Sequence, residues 1–428
     1  MGVDPLDTRP TLRAWLDEYS AIEVDYLGQL ASWGIRIAPP DLCAQAEREA
    51  KARLRAKGAL LRNGGASIVT GNLSSACVAC TGGRGSKTFF LSLACNRHCY
   101  FCFNANQADY ADHLTCSDTW RDEVDAFAAA CGTITHVGLT GGEPLLHADE
   151  AVAFCSYVRD RYSAAHVRVY TAGDFLNESL LSRLRDAGLT ELRMSIKLDD
   201  GEDDIDEALE RLALAKRFIP DVMVEMPVVP GTGDRMRVLL RALDQRGVFG
   251  INLLEFCYPM GAWDEFEKRG FAVKNPPFPV LYNYGYAGGL PLAGSELLCL
   301  ELMEFALDEG LSLGVHYCSL ENKNCDQILQ QNRSFNLDPM LYEQGADCFY
   351  HTAKVFDGDV AIAHAWLDAH GYASCAEEDG ACLVFHPAFA AEVAAQGTLP
   401  VRSLNVVEQQ AEGPVVRELK LVAFEEIA

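Results

Sequence analysis

Apolar and polar positions follow two different rhythms along the chain, and the change between them divides the sequence. From Lys87 onward, short apolar runs typical of buried strands are separated by segments whose apolar positions recur every three or four residues, as in amphipathic helices. The predicted strands are Thr88–Leu93, His136–Thr140, Val167–Thr171, Glu191–Ile196, Val222–Val228, Gly250–Phe256 and Leu311–His316. The predicted helices lie near Ser117–Ala130, Asp149–Tyr162, Asn177–Ala187, Asp204–Phe218, Asp234–Arg246 and Ser295–Glu309.

This regular alternation of strand and helix predicts an α/β fold. Successive parallel strands need a crossover connection, and a helix packed outside the sheet is the usual one. We therefore expect about six or seven units that form a curved sheet or partial barrel. Ligands of such folds bind at the carboxyl ends of the strands. Residues that directly follow a strand are thus the first candidates for a site.

The flanking segments follow other patterns. Residues 1–84 are predicted to form a helical extension, residues 85–320 the barrel core, and residues 321–428 a small α+β appendage. The extension would contain helices at Leu12–Trp33 and Asp41–Arg62, and the appendage a helix near Asp359–His370 and strands at Ala381–Phe385, Val401–Val407 and Val415–Phe424. Residues 257–294, rich in Pro, Gly and aromatic side chains, interrupt the core and are long enough to be a functional insertion or lid.

Composition and charge narrow the class of protein. Hydrophobic residues make up 49% of the 428 positions, as in a folded globular protein. The net charge of −25 makes nucleic acid an unfavourable partner. We see neither a signal-peptide pattern nor an apolar run near 18 residues, so we expect a cytoplasmic protein without a membrane-bound part. The 16 cysteines should then be mostly reduced, and clustered ones indicate metal binding or catalysis.

Two motifs follow the first and second predicted strands. Cys95, Cys99 and Cys102 have the spacing C-x₃-C-x₂-C, and three thiolates can hold three corners of a 4Fe–4S cluster while the fourth iron stays open. The second strand ends at Gly141-Gly142-Glu143-Pro144, where glycines allow the backbone to approach a small charged ligand. Neighbouring strand ends predict a shared site. A three-cysteine zinc site is the alternative, but zinc usually takes four closed ligands, or histidine and water.

This combination resembles the radical SAM superfamily over roughly residues 87–260. The resemblance implies a partial (β/α)6 barrel that binds a 4Fe–4S cluster and S-adenosylmethionine. Cys95, Cys99 and Cys102 would each hold one iron, and the fourth iron would chelate the amino and carboxylate groups of S-adenosylmethionine.

The resemblance also implies roles for the residues around the cluster. Phe101 matches the aromatic position that packs on the adenine, with ordinary core packing as the alternative. Ser195 and Lys197, at the end of the fourth strand, occupy the region that usually contacts ribose or carboxylate. The segment that receives the methionine amino group is matched by Gly141, Gly142, Glu143 and Pro144, and Glu143 would help to neutralise the ammonium.

The implied reaction is reductive. One electron, from a donor such as flavodoxin or ferredoxin, reaches S-adenosylmethionine through the cluster, and the S–C5′ bond breaks. The 5′-deoxyadenosyl radical then abstracts a hydrogen atom from an unactivated carbon. The protein's share is to position the reactants and to exclude water and oxygen.

Further segments resemble a poorly characterised family of radical SAM proteins related to pyruvate formate-lyase activating enzymes. They are Cys77-Val-Ala-Cys80, VEMPVVPG at 224–231, INLLEF at 251–256 and HYCS at 316–319. Cys77-x₂-Cys80 has the spacing of a metal-binding knuckle, and Cys318 is a candidate third ligand of an auxiliary Fe–S cluster or other metal. The alternative is a pair of reduced or redox-active thiols together with a buried Cys318.

The resemblance brings no established substrate. We predict a peptide or protein side chain, because the appendages and the insertion would frame an extended substrate. Radical chemistry on a small metabolite is one alternative, and activation of a glycyl radical enzyme is another. Such activators commonly carry a ferredoxin-like cysteine set after the main cluster, and none is evident between Cys102 and Thr140. A non-catalytic Fe–S redox or sensory protein would need the cysteines but not the glycine motif. A hydrolase would need a G-x-S-x-G elbow, which the sequence lacks.

Overall fold

The computed structural model describes residues 4–106, 109–198, 202–259, 261–284, 289–377 and 380–424. The chain forms two compact units. The larger, here called the barrel unit, comprises Arg36–Pro277 and Tyr286–Lys323, and the smaller, the C-terminal unit, comprises Met1–Ile35, Phe278–Gly285 and Asn324–Ala428.

A nine-stranded sheet runs through the barrel unit. Its strands are β1 (Leu60–Arg62), β2 (Ser67–Thr70), β3 (Ser86–Phe90), β4 (His136–Thr140), β5 (His166–Thr171), β6 (Glu191–Met194), β7 (Asp221–Val228), β8 (Gly250–Glu255) and β11 (Gly314–Cys318). Their spatial order is β1-β2-β11-β8-β7-β6-β5-β4-β3, and the pairs from β3 through β8 to β11 are parallel. The predicted α/β class with a partial parallel barrel is therefore confirmed.

The barrel unit contains the helices α2 (Ala44–Ala56), α3 (Ser75–Ala79), α4 (Trp120–Cys131), α5 (Ala148–Arg161), α6 (Glu178–Asp186), α7 (Glu202–Ala215), α8 (Gly233–Gln245), α9 (Trp263–Lys268) and α10 (Ser295–Asp308). Of these, α4 to α8 and α10 lie between successive parallel strands in the sequence, whereas α2 and α3 precede β3. Local sequence sets their ends: the Asn177 side chain accepts a hydrogen bond from the Leu180 N–H at the start of α6, and α4 stops at Gly132, whose φ is 83°. The helices bury an apolar core against the sheet that includes Trp120, Phe154 and Tyr317.

The N-terminal part of the barrel unit differs from the prediction. The predicted helix Asp41–Arg62 ends at Ala56, because Gly58 has a positive φ of 92° and breaks it. Residues 60–70 then form β1 and β2, and β2 pairs antiparallel with β11. The predicted domain boundaries, between residues 84 and 85 and between residues 320 and 321, thus differ from the limits of the two compact units. Helical periodicity could not reveal an antiparallel pair of short strands of which one, β2, joins a strand 245 residues further along the chain.

The C-terminal unit contains an antiparallel sheet in the order β14-β15-β13-β16-β17, with β12 beside β13. The strands are β12 (Glu343–Gln344), β13 (Tyr350–Phe356), β14 (Ser374–Glu377), β15 (Cys382–Phe385), β16 (Val401–Gln410) and β17 (Gly413–Ala423). Its helices are α1 (Pro10–Ser32), α12 (Asp359–Ala369) and α13 (Ala390–Ala394), and α11 (Leu320–Asn332) is the helix that follows β11. β12, β13 and β14 were not predicted, since polar residues interrupt their apolar pattern.

In the part of the predicted insertion, residues 257–294, that the structure describes, the helix and strands are short. β9 (Cys257–Tyr258) and β10 (Leu290–Pro291) pair antiparallel, and α9 lies between them in sequence. Residues 260 and 285–288 of this stretch lie outside the described residues, and its role as a lid stays a prediction. Within the described ranges, no helix has both the length and the apolar character needed to cross a bilayer.

Candidate radical SAM site

The three cysteines of the C-x₃-C-x₂-C motif lie on the loop after β3, at the carboxyl edge of the sheet. Cys95, Cys99 and Cys102 are half-buried, and all three line one cavity of about 340 Å³ within the barrel unit. Burial raises the pKa of Cys95 and of Cys102. Binding of a metal would therefore have to drive the loss of their protons.

An ion pair anchors this loop to the next part of the sheet. The guanidinium of Arg97 donates two hydrogen bonds to Asp174, from Nη2 to Oδ1 at 2.6 Å and from Nε to Oδ2 at 2.7 Å. Asn96 donates to the same carboxylate at 2.7 Å. The Arg97 guanidinium also lowers the pKa of Asp174. This bidentate contact and the Asn96 hydrogen bond, in a partly buried place, hold the cysteine loop against the segment that follows β5.

The glycine motif touches the cysteine loop through its backbone. The Gly142 N–H donates to the Ser92 carbonyl at 2.9 Å, and the Glu143 N–H donates to the Ala94 carbonyl at 2.8 Å. The approach is so close that a Cβ on Gly142 would lie 1.9 Å from the Ala94 oxygen. Only glycine fits this contact, which brings the motif and the residue before Cys95 together.

The carboxylate of Glu143 is occupied by the protein itself. It accepts hydrogen bonds from the Leu145 N–H at 3.0 Å, the Thr171 hydroxyl at 2.8 Å and the Ala172 N–H at 2.7 Å. Burial raises the pKa of Glu143, although these donors act against the rise. The side chain therefore ties the glycine turn to β5. Its predicted contact with an ammonium group stays a prediction.

The other predicted cofactor residues are distributed as follows. Gly141, Gly142, Glu143, Phe101, Ser195 and Lys197 line the same cavity as the cysteines. The Phe101 ring also packs on Phe256, with ring centroids 5.7 Å apart, so both interpretations of this residue fit. Pro144 is buried at the start of the 3₁₀ turn Pro144–His147 and is not among the described residues that line the cavity.

Four charged residues that line the cavity were not predicted: Arg97, Glu225, Glu255 and Lys323. Each of the two glutamates stands in a mostly apolar strand, which is the signal that could have indicated them. Lys323 gave no such signal, because it lies on a helix that only the fold brings to the cavity.

The candidate auxiliary cysteines occupy different surroundings. Cys77 is buried, and its sulfur accepts hydrogen bonds from Arg193 at 3.3 Å and from Asn252 at 3.4 Å. Cys318 is buried at the end of β11, where burial raises its pKa to about 12, whereas Cys80 is exposed. The auxiliary site stays a prediction.

Among the residues that the structure describes, no three His, Cys, Asp or Glu side chains are arranged to hold a single metal ion. A 4Fe–4S cluster makes a different demand, because each cysteine binds a separate iron. Three thiols on one loop, beside a cavity of the size that small ligands occupy and a glycine turn with bare backbone, fit such a cluster with a bound nucleoside.

Comparison with known proteins agrees with this geometry. A model of the radical SAM superfamily matches residues 90–243. A protein of Methanocaldococcus jannaschii named "Putative glycyl-radical enzyme activating enzyme MJ0021" is 30% identical over 273 residues, which cover 62% of this chain and 67% of that protein. The chain belongs to the radical SAM superfamily, and it is a radical SAM enzyme.

Solved structures show partial similarity. The crystal structure of Streptococcus suis SuiB bound to the precursor peptide SuiA has a TM-score of 0.43 and 12% identity, over 69% of this chain and 57% of that chain. BtrN in complex with AdoMet and 2-DOIA has a TM-score of 0.26 and 18% identity, over 33% of this chain and 56% of that chain. The chain thus spans little more than half the length of either structure.

Proposed function

We propose that the protein binds a 4Fe–4S cluster through Cys95, Cys99 and Cys102 and reductively cleaves S-adenosylmethionine, in order to abstract hydrogen from a peptide or protein. The observation that carries this proposal is the shared cavity. The three half-buried thiols, the glycine turn and the polar end of β6 all line it. When bound, the cluster supplies the electron that cleaves S-adenosylmethionine.

The chain's own residues would bind and orient the nucleoside. Gly141 and Gly142 expose backbone at the carboxyl end of β4, where the methionine part would lie. Ser195 and Lys197 offer a hydroxyl and an ammonium to its carboxylate or ribose, and Phe101 offers a ring face to the adenine. Glu143, whose oxygens the protein already occupies, holds the turn in shape.

A peptide or protein is the substrate class that we propose. The relative from M. jannaschii carries the name of an activating enzyme, and an activating enzyme acts on another protein. A glycyl radical enzyme is therefore one specific form of this proposal, although the cysteine set common in such activators is not evident after Cys102. Chemistry on a small metabolite is the alternative. An electron donor such as flavodoxin or ferredoxin completes the proposal.

Anaerobic reconstitution tests the reaction. Protein loaded with iron and sulfide, reduced by dithionite and given S-adenosylmethionine should form 5′-deoxyadenosine and methionine. Protein with a Cys375→Ala substitution, which changes an exposed cysteine of the C-terminal unit, should behave in the same way. Tight binding of zinc with no iron–sulfur chromophore after loading would contradict the proposal.

The substrate class is tested with deuterium. Extract from producing cells grown in deuterated medium is separated into macromolecular and small-molecule fractions, and each is added to the reconstituted enzyme. Deuterium in 5′-deoxyadenosine is expected with the macromolecular fraction. Transfer from the small-molecule fraction alone would support the metabolite alternative.

A further inference from the structure

The cavity has a part that the nucleoside assignment leaves unused. Its wall includes Glu225 on β7, Glu255 at the end of β8 and Lys323 on α11. These strands follow β6, which ends just before the polar residues assigned to the nucleoside. A substrate bound beside S-adenosylmethionine would meet these three charged side chains. Their hydrogen bonds and charges therefore indicate which chemical class of substrate fits here.

The protein holds the Glu225 carboxylate through one of its two oxygens. Oε2 accepts from Arg193 Nη1 and from Asn252 Nδ2, each at 2.6 Å. In the described part of the chain, Oε1 has no hydrogen-bond donor. Arg193, whose side chain is 4% exposed, is itself fixed by Glu191 Oε1 at 2.5 Å. The protein thus fixes the carboxylate through Oε2, and Oε1 remains an acceptor on a residue that lines the cavity.

Glu255 shows the same pattern on the neighbouring strand. Its Oε2 accepts from the Leu320 N–H at 2.9 Å, and Oε1 has no donor among the residues described. Burial raises the pKa of Glu255 to about 7, against the opposing influence of Lys274. A glutamate in this state holds a proton for much of the time at neutral pH. It can then donate a hydrogen bond as well as accept one.

The charges of this part of the wall nearly cancel. Arg193 pairs with both Glu191 and Glu225, and its charge, with a smaller contribution from Lys323, lowers the pKa of Glu225 against the effect of burial. Glu255 adds little net charge while it is protonated. A cation or an anion bound here would be left without a counter-charge in a poorly solvated place, which is costly. A neutral group that has both a donor and an acceptor meets no such cost.

We propose that Glu225, Glu255 and Lys323 form a subsite for the backbone amide of a peptide. The amide N–H donates to Glu225 Oε1, and the amide carbonyl accepts from the Lys323 ammonium or the Glu255 carboxyl. This inference rests on the proposed function, because it places the hydrogen-bearing carbon of a peptide beside the nucleoside. This subsite recognises the backbone of the peptide and not its side chains.

A peptide without side chains tests the subsite. Acetyl-Gly-Gly-Gly-amide is titrated into the reconstituted enzyme with S-adenosylmethionine, and its dissociation constant is measured by saturation-transfer NMR. Glu225→Gln should weaken binding about tenfold or more, because it removes a charged acceptor. Glu255→Gln, which resembles the protonated carboxyl, should change it less than about threefold. The matched control Glu309→Gln alters an exposed glutamate on the surface and should leave binding unchanged.

Two charged molecules, butylammonium and butyrate, test whether the subsite prefers a neutral group. Butylammonium and butyrate should bind more weakly than the peptide. Tighter binding of butylammonium, or peptide binding that Glu225→Gln leaves intact, would overturn the subsite. In the unsubstituted enzyme, formation of 5′-deoxyadenosine without peptide binding refutes the subsite alone. Peptide binding without 5′-deoxyadenosine refutes the proposed function alone.

Discussion

Replacement of Gly142 by alanine should disrupt the contact that joins the two motifs of the site. The added Cβ would lie 1.9 Å from the Ala94 oxygen, 2.5 Å from the Ala94 carbonyl carbon and 2.6 Å from the Leu93 carbonyl carbon. All three neighbours are backbone atoms, so no side chain can turn away to make room. The two strand-end loops must separate by about 1 Å or more, since such close contacts are not tolerated in packed interiors.

The cost can be worked out from this geometry. Overpacking costs about 1–3 kcal/mol. The hydrogen bonds from the Gly142 and Glu143 N–H groups to the cysteine loop would also weaken, at about 0.5–1.5 kcal/mol each. The expected loss is about 2–6 kcal/mol, which corresponds to a fall in Tm of roughly 5–20 °C. Because Ala94 precedes Cys95, iron content and the rate of 5′-deoxyadenosine formation should fall as well.

Differential scanning calorimetry under anoxia, with iron analysis of the same samples, measures both effects. Gly28→Ala is the control, because that glycine lies inside α1 and an added Cβ meets nothing within 4 Å. This control should be neutral or slightly stabilising, since alanine favours a helix by up to about 1 kcal/mol. A Gly142→Ala protein with unchanged Tm and full iron content would refute the reasoning.

Three further outcomes are expected. Cys99→Ala should abolish the iron–sulfur chromophore and 5′-deoxyadenosine together, and cleavage that persisted would show that the ligand assignment is wrong. Arg193→Met should lower the free energy of unfolding by about 3–5 kcal/mol in denaturant titrations, because it takes the arginine partner from the buried Glu191 and the partly buried Glu225, while Arg185→Met at an exposed pair should cost under about 1 kcal/mol. Glu255→Gln should matter for stability mainly at high pH. The folded-state pKa of about 7 lies above the ordinary 4.5, so the unsubstituted protein loses roughly 3 kcal/mol as the pH rises through this window. The Gln variant should lose less between pH 4.5 and 8 in Tm measurements, and parallel pH profiles would contradict the raised pKa.

Much of the barrel could be predicted because its signals are local. Each parallel strand is a short apolar run, and each crossover helix carries its own periodicity and caps, as with Asn177 before α6 and Gly132 after α4. The spacing of Cys95, Cys99 and Cys102 and the glycine motif could likewise be found without coordinates, since both lie within short stretches of sequence. The order of strands along the chain then indicated that the two motifs share an edge.

Other features depend on contacts between residues that are far apart in the sequence. β1 and β2 join the sheet through β11, and α1 belongs to the same compact unit as the antiparallel sheet of the last hundred residues. Nothing in the helical periodicity of the first 84 residues specifies such partners. Long-range pairings of this kind are decided by which apolar surfaces remain to be buried once the local elements have formed.

The sequence by itself determined the class of the protein, because the chemistry of the cysteine and glycine motifs resides in residues that are close along the chain. Only the tertiary structure decided the state of the charged side chains. It showed that Glu143 accepts hydrogen bonds from residues at the end of β5, that Cys77 lies against Arg193, and that among the described residues only one oxygen of Glu225 and one of Glu255 has a donor. The physical reason is that hydrogen bonding and burial depend on neighbours from several strands. Those neighbours meet only when the sheet has closed around the cavity.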